Sequence, residues 1–215
     1  MTDSIKLYNI DCVEYMKSIP DKYFDLAVVD PPYGIDRGGQ KEIICKNPKH
    51  KRKAHKQKNW DNETPNAEYF KELFRVSKNQ IIWGANYFVE YLDKGTMGWI
   101  FWYKGQQGLT MSDGEIAYSS FQRATRMVNL NRGLITHNGG SIHPTQKPVA
   151  LYDWILEKYS RPTDKILDTH LGSGSSAIAA HRFGISEFVG CELDKEYFDA
   201  ACKRFKEQTA QMSIL

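Results

Sequence analysis

The chain has 215 residues, 41% hydrophobic and 13% aromatic, which is enough for one α/β domain with a sizeable core. No apolar run approaches the ~18 residues of a membrane span, and residues 1–6 are too polar for a signal peptide. These features predict a soluble, cytoplasmic protein without membrane partners. The net charge of +3 is unevenly laid out. Residues 41–58 hold eight Lys or Arg against one acid, Glu42, a local +7 that leaves −4 for the rest.

In chain order, residues 5–10 alternate as a strand that ends at Asp11, and a short helix over 12–19 follows. Pro20-Asp21 makes a turn. The apolar run Leu26-Ala27-Val28-Val29 reads as a buried strand ending on Asp30-Pro31-Pro32-Tyr33. Residues 34–62 have little periodicity and carry the basic run, which predicts a long loop that orders on its partner. A helix is expected from Asn66 to about Val76, with Phe70, Leu73 and Phe74 inward. Strands are expected at 80–83, 98–103 and 115–120, and a short helix at Asn86. Residues 121–142 read as irregular. His143-Pro-Thr-Gln-Lys-Pro148 is a stiff polar loop before a helix over 149–159. A strand at 165–168, a Gly/Ser turn at 169–174, a helix over 175–183 capped by Gly184, a strand at 186–191 and a last helix from Asp194 to about Gln208 complete the chain. Alternating strands and helices predict a doubly wound, mostly parallel sheet with helices on both faces.

The chemistry concentrates at strand ends, where open α/β sheets bind ligands. After Asp30, two prolines remove two backbone N–H donors. An acid, bare carbonyls and a tyrosine ring together suit an amino group on a planar base. The oxygens accept its N–H bonds and Tyr33 stacks on its face. Further along, Asp168-Thr-His-Leu171-Gly172-Ser173-Gly174 joins a strand to a helix, and its glycines permit a close ligand approach. The next strand ends at Glu192, 24 residues on, the spacing of an acid that takes ribose hydroxyls. There is no third glycine of a dinucleotide fingerprint and no phosphate loop. An adenosine-type cofactor without a pyrophosphate fits best. Asp11 also ends a strand, although an ordinary helix cap explains it equally well.

These motifs resemble the amino-methyltransferases that use S-adenosylmethionine and act on DNA bases. Asp-Pro-Pro-Tyr (30–33) matches that family's catalytic motif and Asp-x-x-x-Gly-Ser-Gly (168–174) its cofactor loop. Their order, with His-Pro-Thr-Gln-Lys-Pro (143–148) just before the cofactor loop, is similar to the permuted β-type order. The resemblance implies a seven-stranded, mainly parallel sheet and a single catalytic domain over residues 1–215. That domain would carry a basic loop insertion at about 36–62 and a short target-recognition region at about 104–142. It implies catalytic roles for Asp30, Pro31, Pro32 and Tyr33. Cofactor contacts would come from Asp11, Cys12, Asp30, His143, Thr145, Gln146, Lys147, Asp168, Leu171, Gly172, Ser173, Gly174 and Glu192. Because the order is permuted, the last helix should lead towards strand 5–10, bringing the termini together.

The implied reaction is methyl transfer to N6 of adenine in double-stranded DNA, with cytosine N4 or RNA adenine as alternative targets. A non-catalytic nucleic-acid-binding module is the alternative of another class. The setting implied is a prokaryotic or phage-infected cell, and a homodimer is the assembly considered. Lys46, Lys49, Lys51, Arg52, Lys53, Lys56 and Lys58 of the basic run, with Arg123 and Arg126, are the candidate nucleic-acid contacts. Cys45, His50 and His55 fit no common zinc motif, so no metal is assigned.

Overall fold

Strand β2 (Phe24–Val29) is buried on both faces, as a central strand covered by helices on each side must be. Leu26 and Val28 belong to one apolar layer, Ala27 and Val29 to the other. The computed structural model describes residues 4–36, 38–39, 58–92, 95–108, 112–131 and 141–210. Around β2 the other elements follow in chain order. They are β1 (Ile5–Tyr8) and α1 (Cys12–Lys17) before it, then α2 (Ala67–Val76), β3 (Ser77–Trp83), β4 (Ile100–Tyr103), β5 (Gly114–Ser119) and β6 (Arg126–Asn129). The chain ends with α3 (Val149–Tyr159), β7 (Lys165–Asp168), α4 (Ser175–Phe183), β8 (Glu187–Cys191) and α5 (Lys195–Ala210).

The strands form one sheet in the order β1-β8-β7-β2-β3-β5-β4-β6. Neighbours from β1 to β3 are parallel, β5 is antiparallel to both β3 and β4, and β6 runs parallel to β4. The sheet therefore has eight strands and is mixed, where seven were expected. The additional strand is β6, inside the stretch that reads as irregular. Only Val128 of its four residues is buried, so its sequence carries no alternation strong enough to reveal an edge strand. The helix at 12–19 ends early, at Lys17. The short helix expected at Asn86 is a pair of single 3₁₀ turns, Ala85–Tyr87 and Val89–Tyr91.

Local signals set the helix ends. Asn66 accepts the Tyr69 N–H and caps α2. Gly184, at φ +75°, closes α4 in the left-handed conformation that a side chain resists. Asp194 accepts the N–H groups of Glu196 and Tyr197 at the start of α5. The aromatic strand β4 buries Ile100 and Trp102, so its rings are mainly core. The terminal residues 1–3 and 211–215, on which the expected meeting of the termini depends, lie outside the described residues. What is described is that β1 pairs with β8, the strand that leads into α5.

This topology explains why the acids converge. β1, β8, β7 and β2 are parallel neighbours, so Asp11, Glu192, Asp168 and Asp30 follow or end them at one edge of the sheet. The chain leaves β2 for β3 on one side and β7 for β8 on the other. The crevice between β2 and β7 is thus the switch point at which doubly wound sheets bind ligands.

Candidate active site

A cavity of about 560 Å³ opens at that switch point. Its wall takes Asp30 and Pro32 from the end of β2, and Leu171, Gly172 and Ser173 from the turn after β7. Ile10, Asp11 and Cys12 come from the end of β1, Glu192 and Asp194 from the end of β8, and His143, Thr145, Gln146 and Lys147 from the polar loop. Five segments far apart in sequence thus share one cavity, among them the three motifs at 30–33, 143–148 and 168–174.

The floor is built by backbone and carboxylate together. Gly172 (φ +52°) donates its N–H to Glu192 Oε2 at 2.8 Å, while Glu192 Oε1 accepts the Asp194 N–H at 2.9 Å. Burial raises the Glu192 carboxyl above its ordinary value against these bonds. Asp11 caps α1, accepting the Val13 and Glu14 N–H groups at 2.7 and 3.1 Å, and still faces the cavity. It is thus a helix cap that also lines the cavity. Burial pushes the neighbouring Cys12 thiol up to about 12, so it is neutral and unreactive as a nucleophile. His143 lies against Trp60 in a tilted contact and against Tyr197 edge to face, with ring centroids 5.0 and 4.3 Å away. Gln146 accepts the Ile142 N–H through Oε1 and braces the loop.

Two residues of the cofactor motif stand behind the wall. Asp168 is 1% exposed and does not line the cavity. Its carboxylate accepts the Ser176 hydroxyl at 2.5 Å and the His170 N–H at 3.0 Å, holding the turn in shape from inside. Gly174, at φ +72°, starts α4 and packs on Ala201. Burial drives the Asp168 carboxyl up to about 7, despite the two bonds it accepts. An unfolded aspartate releases its proton near 3.8, so the native state alone holds that proton between about pH 4 and 7. Stability should therefore fall as pH rises through that window. Asp168→Asn should flatten this slope in denaturant titrations run from pH 4 to 8, and an unchanged slope would assign it to other groups.

At the other end of the cavity lies a cluster of buried charge. Tyr33 donates its hydroxyl to Asp30 Oδ1 at 2.6 Å. The Lys147 ammonium, in a residue only 4% exposed, pairs with Asp30 Oδ2 and with Glu115 Oε2 at 3.0 Å. Lys104 pairs with Glu115 Oε1 at 2.5 Å. Glu115 and Lys104 are functional candidates that sequence reading missed. On β5, Glu115 reads as the polar member of an alternating strand, and nothing local links it to residues 30 or 147. The Tyr33 ring does not line the cavity. It lies on Tyr87, centroids 5.0 Å apart and planes 15° apart, with Phe88 at its edge.

Asp61 secures the Asp30–Gly34 turn from the chain that follows the basic run. It is 2% exposed and accepts the Tyr33 and Gly34 N–H groups at 2.7 and 3.1 Å. Trp60, beside it, joins the cavity wall. Of the candidate nucleic-acid contacts, Lys58 pairs with Asp194 and Glu196, both at 2.7 Å, and its ammonium lies over Tyr197. It is therefore bound to the rim of the cavity. Arg123 donates to the Lys158 carbonyl and covers Phe121 and Tyr159. Arg126 is exposed on the edge strand β6. Lys46, Lys49, Lys51, Arg52, Lys53 and Lys56, together with Cys45, His50 and His55, lie outside the described residues. Among the described residues no group of His, Cys, Asp and Glu is arranged to hold a metal ion.

A DNA methylase family model for N6/N4 methyltransferases matches residues 96–203, half of the chain. The type II methyltransferase M.HinfI of Haemophilus influenzae is 23% identical over 249 residues, covering 92% of this chain and 67% of that protein. Two solved structures share the fold. A complex of M1.HpyAVI with SAM aligns at TM-score 0.60 and 21% identity, covering 93% of this chain and 99% of that one. The PvuII DNA methyltransferase, described as cytosine-N4-specific, aligns at TM-score 0.64 and 14% identity, covering 98% and 92%. The Asp30–Tyr33 turn, the Gly172–Gly174 turn and their shared cavity agree with this match, and the chain belongs to the N6/N4 DNA methylase family.

Proposed function

We propose that this chain transfers a methyl group from S-adenosylmethionine to the exocyclic N6 of adenine in double-stranded DNA. The observation that carries the reading is the single cavity walled by Asp30 and by Gly172, Ser173 and Glu192. Its donor set suits the cofactor: acids on several sides for a cationic sulfonium, an ammonium and ribose hydroxyls, and, among the described lining residues, no cluster of cations for a pyrophosphate. Glu192 and Asp11 would hold the nucleoside end, and the 171–173 turn with Thr145 and Gln146 the methionine end. Bound there, the cofactor supplies an electrophilic methyl group. M1.HpyAVI, a structural neighbour, was solved with SAM, which supports the same cofactor.

The chain's own task is to make a poor nucleophile reactive. The lone pair of an exocyclic base nitrogen is delocalised into its ring. Asp30 accepts one N–H of that amine and the Pro31 carbonyl the other, favouring a pyramidal nitrogen. Preorganised groups of this kind, placed where charge develops, are worth about 3–4 kcal/mol by analogy with an oxyanion hole of opposite sign. The base has to leave the duplex to reach the cavity. The positive run at 41–58 supplies the salt-dependent phosphate attraction, and the segments at about 36–62 and 104–142 the DNA-facing parts of a single domain. Deleting 41–58 should weaken DNA binding and lower the slope of affinity against salt concentration. Unchanged binding would give that run another role. A homodimer and a prokaryotic cytoplasm accompany this reading as expectations.

Asp rather than Ser at position 30 favours adenine. Cytosine N4 is the second reading, supported by the fold shared with the PvuII enzyme. Incubating DNA and RNA with the protein and a methyl-labelled cofactor, then separating nucleosides by mass spectrometry, decides between them. Label in N6-methyladenine from DNA is expected. Label only in N4-methylcytosine, or only in RNA, selects an alternative, and no label supports a non-catalytic module.

A further inference from the structure

We propose that Lys147, fastened by Glu115, is a positioning residue that fixes the Asp30 carboxylate in its charged, amine-accepting form, rather than a contact for the methionine end of the cofactor. The inference deepens the proposed function and rests on it.

The geometry is specific. Asp30 presents two oxygens, and each has one built-in partner: the Tyr33 hydroxyl at 2.6 Å on Oδ1 and the Lys147 ammonium on Oδ2. Each oxygen keeps a second lone pair, so an incoming amine meets a carboxylate whose plane is already set. The lysine in turn has little freedom. Its ammonium is also 3.0 Å from Glu115 Oε2 and 3.3 Å from the Tyr33 hydroxyl, and lies 5.5 Å from the centre of the Trp83 ring. Its own carbonyl accepts the Ser175 hydroxyl, which ties its backbone to the start of α4. Pro148 on one side and buried His143 and Gln146 on the other hold the loop. A lysine so enclosed cannot reach far into the cavity without leaving two carboxylates buried without it.

The electrostatics point the same way. Burial raises the Asp30 carboxyl above its ordinary value. Lys147 opposes that rise and Glu115 adds to it. Asp168 bears on Asp30 from the end of β7, as do the Tyr69 and Tyr152 hydroxyls from α2 and α3. Burial also pushes the Glu115 carboxyl up, yet Lys147 and Lys104 outweigh it and hold the group at about 2. For Lys147, burial lowers the value but Asp30 and Glu115 carry it above the ordinary one. Two carboxylates and two ammonium groups thus make a neutral chain, Asp30–Lys147–Glu115–Lys104, in which each ion needs the next.

The two middle members of that chain, Lys147 and Glu115, act on Asp30 with opposite sign, which a purely structural role does not require. The test follows the Asp30 carboxyl carbon by NMR in protein labelled with ¹³C at aspartate, the resonance being assigned with Asp30→Asn. In Lys147→Gln the Asp30 titration midpoint should rise by about one unit or more, because an opposite charge within contact is gone. In Glu115→Gln it should fall. Lys147→Arg should return it towards the native value and serves if the glutamine variant fails to fold. A midpoint unmoved in Lys147→Gln, or moved upward in both glutamine variants, overturns the proposal. A second arm measures methyl transfer to DNA and cofactor binding by calorimetry. Lys147→Gln should lower kcat by about 10-fold or more, with the acid limb of its pH profile displaced upward, while cofactor Kd stays within about 3-fold. Kd raised 10-fold or more with kcat restored at saturation would make Lys147 a cofactor ligand and overturn it. Wild-type protein that methylates no nucleic acid would sink the functional reading alone, since the NMR titrations are independent of turnover.

Discussion

Asp30→Ala should abolish methyl transfer, lowering kcat by about 10³-fold or more, while S-adenosylmethionine binds with nearly native affinity. The loss has two parts. The carboxylate proposed to accept the target N–H is gone, an effect of about 10²–10³ for one preorganised group. Lys147 and Tyr33 also lose the partner that fixes them. Binding persists because the Gly172–Glu192 floor and the 145–146 loop contact the cavity independently of Asp30. Removing one member of a buried ion pair also destabilises the fold, by about 3–5 kcal/mol in unfavourable cases. The chain limits this cost, since Lys147 keeps Glu115. Isothermal calorimetry alongside single-turnover methylation separates the two effects. Native turnover by the variant would remove Asp30 from the chemistry.

Gly84→Ala should be nearly as damaging, although position 84 does not line the cavity. Gly84 follows β3 at φ +67°, a conformation costly for any side chain. A Cβ there would sit 2.1 Å from Cε1 and 2.5 Å from Cζ of Tyr33. That ring cannot retreat, because Tyr87 lies on it and Phe88 abuts its edge. The tyrosine must shift, and its 2.6 Å bond to Asp30 shifts with it. Overpacking of about 1–3 kcal/mol and left-handed strain of about 1–2 kcal/mol should lower the denaturation midpoint. Turnover should drop more than cofactor affinity. A variant with native stability and native kcat would show that the Tyr33 ring has room, contrary to its packing.

The sequence showed the parts of this site whose signals are local. Asp30 follows an unmistakable buried run, and the Gly172–Gly174 turn sits between a strand and a helix. Glu192 ends the next strand. Each is a feature of a few adjacent residues, and the parallel topology brings them together. What the sequence concealed is what only the third dimension creates. Glu115 and Lys104 on and beside β5 look like ordinary polar positions of a half-buried sheet. Their link to Asp30 exists because β5 lies antiparallel against β3 and faces the 143–148 loop across the sheet end. Trp60 and Asp61 follow a run of charge that masks the cavity contact of the first and the burial of the second. Asp168 reads as a ligand contact, yet it bonds inward to Ser176, since a strand-end side chain can turn either to the cleft or beneath the turn. Strand β6 escaped notice because three of its four residues are exposed.

The central claim is that the amine acceptor and the methyl donor meet across one crevice. A crystal structure with S-adenosylhomocysteine and a DNA duplex bearing the target site tests it most directly. The account predicts the homocysteine sulfur beside the 171–173 turn, with an extruded base whose amino nitrogen lies about 3 Å from Asp30 and about 3–4 Å from the sulfur's methyl position. A nucleoside moiety away from Glu192, or a base amine that reaches the sulfur without touching Asp30 or the Pro31 carbonyl, would contradict it.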